Sequence, residues 1–300
     1  LWNEKFKKVL KAMGFTQSNN DECLYIFRRK EEVCYIAIWV DDILAAVSTE
    51  ELWKELYEAL NKECPSTQGE LEFLLGMKIT QTNDKTEGRR VHVCQEPKIN
   101  SLLDQLDMTG CNPMSTPMMV KVPTAEHCPK TDEEERKELE HLPHESYPAF
   151  RTQYREILGF CSHLCEYGRP DITYSVHYLA RFQAYPTKEH YTALKRIVRY
   201  LKGTRALATV FGNKQHKYYA PLIAHVDSDF AGCEKSSKST TGNVFLCYGA
   251  AIKVQSSKQK CVTKSSTHAE IVAASTSVCT ALYFKRLLAD LGIHVDKVPI

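Results

Sequence analysis

The chain has 300 residues, 43% hydrophobic and 25% charged, with 39 Lys+Arg against 37 Asp+Glu and a net charge of +2. That length supports two or three modest cores, and the balanced charge excludes a global basic field, so affinity for a polyanion must come from local patches. No run approaches the roughly 18 consecutive apolar residues of a membrane span and no leader segment is visible, so no membrane association is expected. The 12 cysteines are scattered without a C-x-x-C pair. Cys34, Cys94, Cys247 and Cys279 sit in apolar segments as small core residues, and reduced thiols in an intracellular protein are expected.

Trp2, Phe6, Val9, Leu10 and Met13 recur at helical spacing and stop at Gly14, which predicts an amphipathic helix. "CLYIFRR", "VCYIAIWV" and "ILAAVS" read as three strands. The last two form a hairpin with Asp41-Asp42 near its tip. A helix over "STEELWKELYEALNKEC" opens on an expected capping box, Ser48 to Glu51. "ELEFLLGMKIT" and "RRVHVCQ" are a second strand pair turning at "NDKTEG", and "PKINSLLDQLDM" is a short helix.

Residues 111–149 change character. Prolines punctuate them and "KTDEEERKELEH" is a charge run, so a solvated linker is expected. Helical patterning resumes in "YREILGFCSHLCEYG" and continues to "TKEHYTALKRIVRYLKG". There Tyr191, Leu194, Val198 and Leu201 form the buried stripe, Lys195, Arg196, Arg199 and Lys202 a basic side, and Gly203 a C-cap. From about residue 220 "PLIAHVDSDF" and "GNVFLCYGAAIKVQSSKQ" are strands, the latter a pair turning near Gly249. A long helix follows with Ile271, Ala274, Val278 and Leu282 inward. The order is that of an α+β fold.

Three constellations could carry chemistry. Asp41 and Asp42 on a tight hairpin can face one concavity, and hard carboxylate oxygens suit Mg²⁺; the plainer alternative is a hydrated polar turn. Asp227 at a strand end and Glu270 in the first turn of the last helix can converge on a metal. Against that, Thr267 and Glu270 have capping-box spacing, and "DSDFAG" is turn-like. The basic side over 188–202 is a solvated face by default, or a contact for a phosphate backbone.

Taken together the fragments resemble one family. "WVDDILAAVS" resembles the Tyr-Val-Asp-Asp hairpin of reverse transcriptases, with Trp39 in place of the tyrosine. "GELEFLLGMKI", "RPDITYSVHYLARFQAYPTKEHYTALKRIVRYLKGT", "VDSDFAGCEKSSKSTTGNVFL" and "SSKQKCVTKSSTHAEIVAAS" are similar, in that order, to segments of copia-type retrotransposon Pol polyproteins. The resemblance implies the C-terminal part of a reverse transcriptase palm and thumb over 1–110, the linker over 111–149, a helical connection over 150–213 and an RNase H-like α/β domain over 214–300.

It also implies roles. Asp41 and Asp42 would be metal ligands of DNA synthesis, and Asp227 and Glu270 those of RNA cleavage, with two Mg²⁺ ions at each site. Trp39 would flank the primer terminus, 71–80 would be the primer-gripping hairpin and 95–108 the thumb. The partners implied are an RNA template, a DNA primer, an RNA–DNA hybrid and, with an upstream palm, a dNTP, in a cytoplasmic virus-like particle or the nucleus. The family's polymerase uses a further aspartate that would lie before Leu1. Its RNase H uses one on a strand that "VPI" would open. Both sites are therefore expected to be incomplete and the isolated chain inactive, the alternative being a non-catalytic nucleic-acid-binding remnant.

Overall fold

A computed structural model describes residues 2–40, 42–84, 88–119, 147–233 and 236–300. The chain divides into two compact units, one of residues 1–75 with 279–298, the other of 76–278 with 299–300.

In the first unit, α1 (Trp2–Ala12) and α2 (Glu50–Glu63) cover one face of an antiparallel sheet ordered β1 (Thr16–Gln17), β2 (Leu24–Arg29), β3 (Glu32–Trp39), β4 (Asp42–Val47). The predicted periodicity holds: Phe6 and Leu10 of α1 meet Cys34, Ile36 and Ile38 of β3 and Leu52, Leu56 and Leu60 of α2 in one core. Gly14 ends α1 as expected. At φ +93 it allows the Phe15 N–H to return to the Leu10 carbonyl at 2.9 Å. The cap of α2 is Thr49, whose hydroxyl accepts from Leu52 N–H, rather than Ser48. Ser48 Oγ instead accepts the Val33 N–H at 3.1 Å and ties the helix entry to β3. A two-residue strand, β5 (Phe73–Leu74), follows.

In the second unit, β6 (Met77–Asp84) pairs antiparallel with β7 (Gly88–Cys94), which pairs with β8 (Ala208–Phe211). The turn predicted at 83–88 falls partly outside the described residues. Helices α3 (Glu96–Gln105), α4 (Tyr147–Glu166), α5 (Thr173–Ala180) and α6 (Lys188–Gly203) share a core in which Leu164, Ile172, Val176, Leu194, Ile197 and Leu201 are fully buried or nearly so. The α6 stripe is as predicted at Leu194, Val198 and Leu201, with Tyr191 packed on its margin. A capping box opens α6: Thr187 Oγ accepts the His190 N–H, and His190 Nδ1 accepts the Thr187 N–H. At the other end Gly203 is not a left-handed cap. It serves close approach, since a Cβ there would lie 3.0 Å from the Pro113 side chain.

A second sheet of this unit is ordered β11 (Ala250–Lys258), β10 (Thr240–Cys247), β9 (Ile223–Asp229). Tyr248 and Gly249 both take positive φ and close β10 to β11 in two residues. The last helix, α7 (Ser266–Asp290), lends residues 266–278 to this unit and 279–290 to the first.

The face of α7 corrects the sequence reading. Ala269, Ala273 and Ser277 are buried, whereas Ile271 is 62% exposed and Val278 and Leu282 are exposed too. Small side chains let a helix axis approach a sheet closely. Here Asn243 donates to Ser277 Oγ at 3.1 Å, and Gln259 donates to the Ala269 carbonyl at 3.0 Å, fixing the small face inward. Cys279, expected in the core, is exposed on the same helix. By length and hydropathy α7 could cross a membrane, but its buried Ala and Ser face and the Asn243 bond account for those residues as one side of a folded sheet layer. Ala273→Leu is expected to destabilise by about 1–3 kcal/mol through overpacking. Ile271→Lys should stay within about 0.5 kcal/mol of the parent. Urea midpoints of the two variants test the assignment of faces.

Candidate functional site

The β3–β4 hairpin is pinned by its register. Trp39 pairs with Asp42, Ile38 with Ile43 and Ile36 with Ala45, so two residues make the tip. Val40 takes φ +54 there, a conformation that a β-branched side chain resists, and is 72% exposed. Asp41 lies outside the described residues. Asp42 is exposed and, as the cross-strand partner of the 53% exposed Trp39, shares its face of the sheet. Burial of Ile36 and Ile38 on the opposite face holds that register, because a one-residue slip would expose them.

Asp227 and Glu270 are both exposed, at one end of the β9–β11 sheet. Ser228, beside Asp227, pairs with Thr241, and the Gln259 amide bridges Thr241 Oγ (3.1 Å) and the Ala269 carbonyl (3.0 Å), beside Glu270. The register sends Asp227, with His225 and Asp229, to the face away from Thr241 and Asn243, which α7 covers. Asp227 therefore lies on the face opposite the helix that carries Glu270. The capping role read for Glu270 is not observed. Ser265 Oγ accepts the His268 N–H at 3.1 Å, and Ser265 also supplies the first main-chain acceptor, so the helix begins before Thr267. Asp229 is engaged locally: its carboxylate lies over Gly232, where any Cβ would collide with it. Among the described residues no three His, Cys, Asp or Glu side chains converge as a metal cage.

The basic side of α6 is engaged within the protein. Arg196 donates to the Thr116 carbonyl (3.2 Å) and hydroxyl (2.8 Å), Arg199 to the Asn112 carbonyl (2.7 Å) and Lys202 to the Cys111 carbonyl (2.5 Å). Lys195 Nζ lies 4.9 Å from the centre of the Tyr191 ring. Residues 111–119, read as the opening of a linker, are thus strapped along the helix, while 120–146 lie outside the described residues. Met114 N–H completes the strap by donating to the Arg199 carbonyl at 3.2 Å. Arg199→Ala is expected to cost about 1 kcal/mol and to speed hydrogen exchange at the Met114 amide.

A buried charge that sequence reading missed organises the start of the helical run. Arg169 is 1% exposed, and its guanidinium donates to both Asp171 oxygens (2.9 and 2.7 Å), the Thr204 carbonyl (3.1 Å) and the Thr204 hydroxyl (2.6 Å). Tyr200 donates to Asp171 at 2.8 Å. Burial alone would raise the Asp171 carboxyl; the bonds and charge of Arg169 and the Tyr200 hydroxyl outweigh it and hold the group below its usual range. A second polar contact lies nearby in sequence, where Lys98 Nζ stands 2.8 Å from His163 Nε2. Burial, then the Lys98 charge, lowers the affinity of the His163 ring for a proton. Cys161 and Cys165, on either side of His163, are buried thiols, and burial pushes Cys165 up to about 12.

Comparison with known proteins assigns the chain. A family profile described as "Reverse transcriptase (RNA-dependent DNA polymerase)" matches residues 1–120. The whole chain aligns at 31% identity with 21% of the retrovirus-related Pol polyprotein from transposon TNT 1-94 of Nicotiana tabacum. It aligns at 30% identity with 19% of the corresponding polyprotein from transposon RE1 of Arabidopsis thaliana. Against a putative transposon Ty5-1 protein of Saccharomyces cerevisiae the identity is 28%, covering 93% of this chain and 83% of that one. The chain thus spans about one fifth of the length of the Pol polyproteins it matches. No solved structure matches. With the profile over the hairpin-bearing unit and the polyprotein similarity running end to end, the chain belongs to the reverse-transcriptase-containing Pol polyproteins of copia-type retrotransposons.

Proposed function

We propose that this chain carries part of two Mg²⁺-dependent activities of such a Pol: RNA-directed DNA synthesis at the β3–β4 hairpin and cleavage of RNA in RNA–DNA hybrids at the β9–α7 end. On this reading 1–110 are palm and thumb, 111–149 a connecting segment whose first residues are strapped to α6, 150–213 a helical connection and 214–300 an RNase H-like domain. The observation that carries it is the two-residue hairpin tip that sets exposed Asp42 beside exposed Trp39 on one sheet face. The reverse-transcriptase profile over residues 1–120 supports this reading of the tip.

The donor chemistry fits the ion. Mg²⁺ prefers hard oxygens, and in polymerase-type sites one or two protein carboxylates suffice because substrate phosphates complete the shell. Asp41 and Asp42 would hold it at one site, Asp227 and Glu270 at the other. When bound, the ion supplies charge for the transferring phosphoryl group. The chain's own residues do the rest. The β3–β4 register sets Asp42 and Trp39 on one sheet face. Asp227 would be presented by β9 and Glu270 by the first turn of α7. RNA template, DNA primer and hybrid are the partners, with dNTP at the first site.

The test uses the Pol polyprotein with and without Asp42→Asn and Glu270→Gln. Loss of primer extension in the first and of hybrid cleavage in the second, each with the other activity retained, is the expected result. Retention of both activities in both variants would remove the proposal.

A further inference from the structure

The β1–β4 sheet has two faces. Tyr25, Phe27, Cys34, Ile36 and Ile38 turn toward α1 and α2. Register places Leu24, Ile26, Tyr35, Ala37, Trp39 and Asp42 on the other. A face that receives a nucleic-acid duplex should be open along its length, and Ala37, Trp39 and Asp42 are exposed. Leu24 and Ile26 on the same face are only 9% and 8% exposed. They lie outside the α1–α2 core, so something else covers them.

The chain's own residues 288–295, in the same unit, are anchored there. The carboxylate of Asp290 accepts from Ser18 Oγ (2.5 Å) and from Asn20 Nδ2 (2.8 Å). Its carbonyl accepts from the Arg28 guanidinium at 3.0 Å, and the Leu291 carbonyl accepts from the Tyr35 hydroxyl. Gly292 closes the helix at φ +79 with the Ile293 N–H returning to Leu288 O; a Cβ on Gly292 would lie 3.0 Å from Arg28. Leu288 and Val295 are buried on either side of these bonds. The donors Arg28 and Tyr35 thus point at carbonyl oxygens on the face that carries Trp39 and Asp42. A phosphate oxygen is a stronger acceptor than a peptide carbonyl for a guanidinium.

We propose that 288–295 is an internal cover of this face, and that a primer–template duplex displaces it, with Arg28 and Tyr35 exchanging main-chain carbonyls for backbone phosphates. The inference rests on reading the sheet as the polymerase palm. It adds a competitor for the duplex built into the same chain.

The experiment measures binding of a fluorescent RNA-template–DNA-primer duplex to the full chain, and in parallel hydrogen exchange at the amides of Leu291, Gly292 and Ile293. Asp290→Ala should tighten duplex binding by about five- to tenfold and speed exchange at those amides, a coupling of ordinary size. Asp290→Asn, which keeps an acceptor for Ser18 and Asn20, should behave as the parent. Duplex added to the parent should speed the same amides. Tyr35→Phe should shift affinity in the same direction by less, and serves if Asp290→Ala fails to fold. Faster exchange with unchanged duplex affinity would overturn the cover and leave the palm reading standing. Faster exchange with no duplex binding in any variant would overturn both, and unaltered exchange in Asp290→Ala would show that the anchor is not one.

Discussion

Replacing Arg169 with methionine is expected to lower the unfolding free energy of its unit by about 1–3 kcal/mol. The loss should be read as a fall in urea midpoint at constant slope. Methionine fills the volume but removes the guanidinium bonds, leaving the solvent-open Asp171 carboxylate with the Tyr200 hydroxyl and the Thr204 carbonyl with the Leu207 N–H. The cost is that of several lost bonds from one charged donor, not of a single neutral hydrogen bond. Lysine should not rescue it, because a point ammonium cannot bridge both Asp171 oxygens and Thr204 at once. The pH dependence follows with its sign. The Asp171 carboxyl is depressed in the folded state, so its contribution is fully present above the unfolded value of about 4 and is lost as pH falls through the lower folded value. The parent should therefore lose stability in that acid window, and Arg169→Met should lose the part of that slope that Asp171 supplies. An unchanged slope would separate the ion pair from the stability.

The second large effect is expected at Leu194. Its side chain is fully buried in the core shared by α3, α4, α5 and α6. Leu194→Ala should cost about 2–5 kcal/mol, at the upper end if the surrounding helices cannot collapse. Leu194→Met keeps the volume and should cost less than about 1.5 kcal/mol. Leu207→Ala, at an exposed leucine just past α6, is the control and should be nearly neutral. Thermal or urea unfolding of the three variants orders them. Equal losses at 194 and 207 would contradict the burial pattern.

Sequence and structure agree most closely where side-chain size and periodicity coincide. Alternating Cys34, Ile36 and Ile38 are legible as a half-buried strand, and Leu194, Val198 and Leu201 as a helix stripe, because large apolar residues are what those faces bury. The same rule misreads α7. Its buried face is Ala269, Ala273 and Ser277, and the larger Ile271, Val278 and Leu282 face outward, so a pattern of bulk points to the wrong side. Helix ends shift for a related reason. Several hydroxyls stand near each start, and which one caps depends on tertiary bonds such as that of Ser48 to Val33.

Strand β8 is four residues long and forms only because β7 offers an edge, which no local signal announces. Arg169 reads as a surface cation until Asp171 and Thr204 are seen around it. The basic row on α6 is legible as a row, but its engagement by the carbonyls of 111–116 requires a segment about 80 residues away in sequence. At the candidate sites, the hairpin tip at Asp42 follows from the apolar runs on either side. The docking of the α7 start on β10 depends on Gln259, which carries no recognisable signature.

Val40 at φ +54 has a consequence for how the hairpin works. A left-handed valine costs about 1–2 kcal/mol, and glycine in its place would remove that cost. It would also let the bend wander among several backbone shapes. Clamped by Trp39 and Asp42 on either side, the valine has one way to sit, and every departure unzips the ladder behind it. The backbone of the tip is thereby held to one shape between the two paired strands.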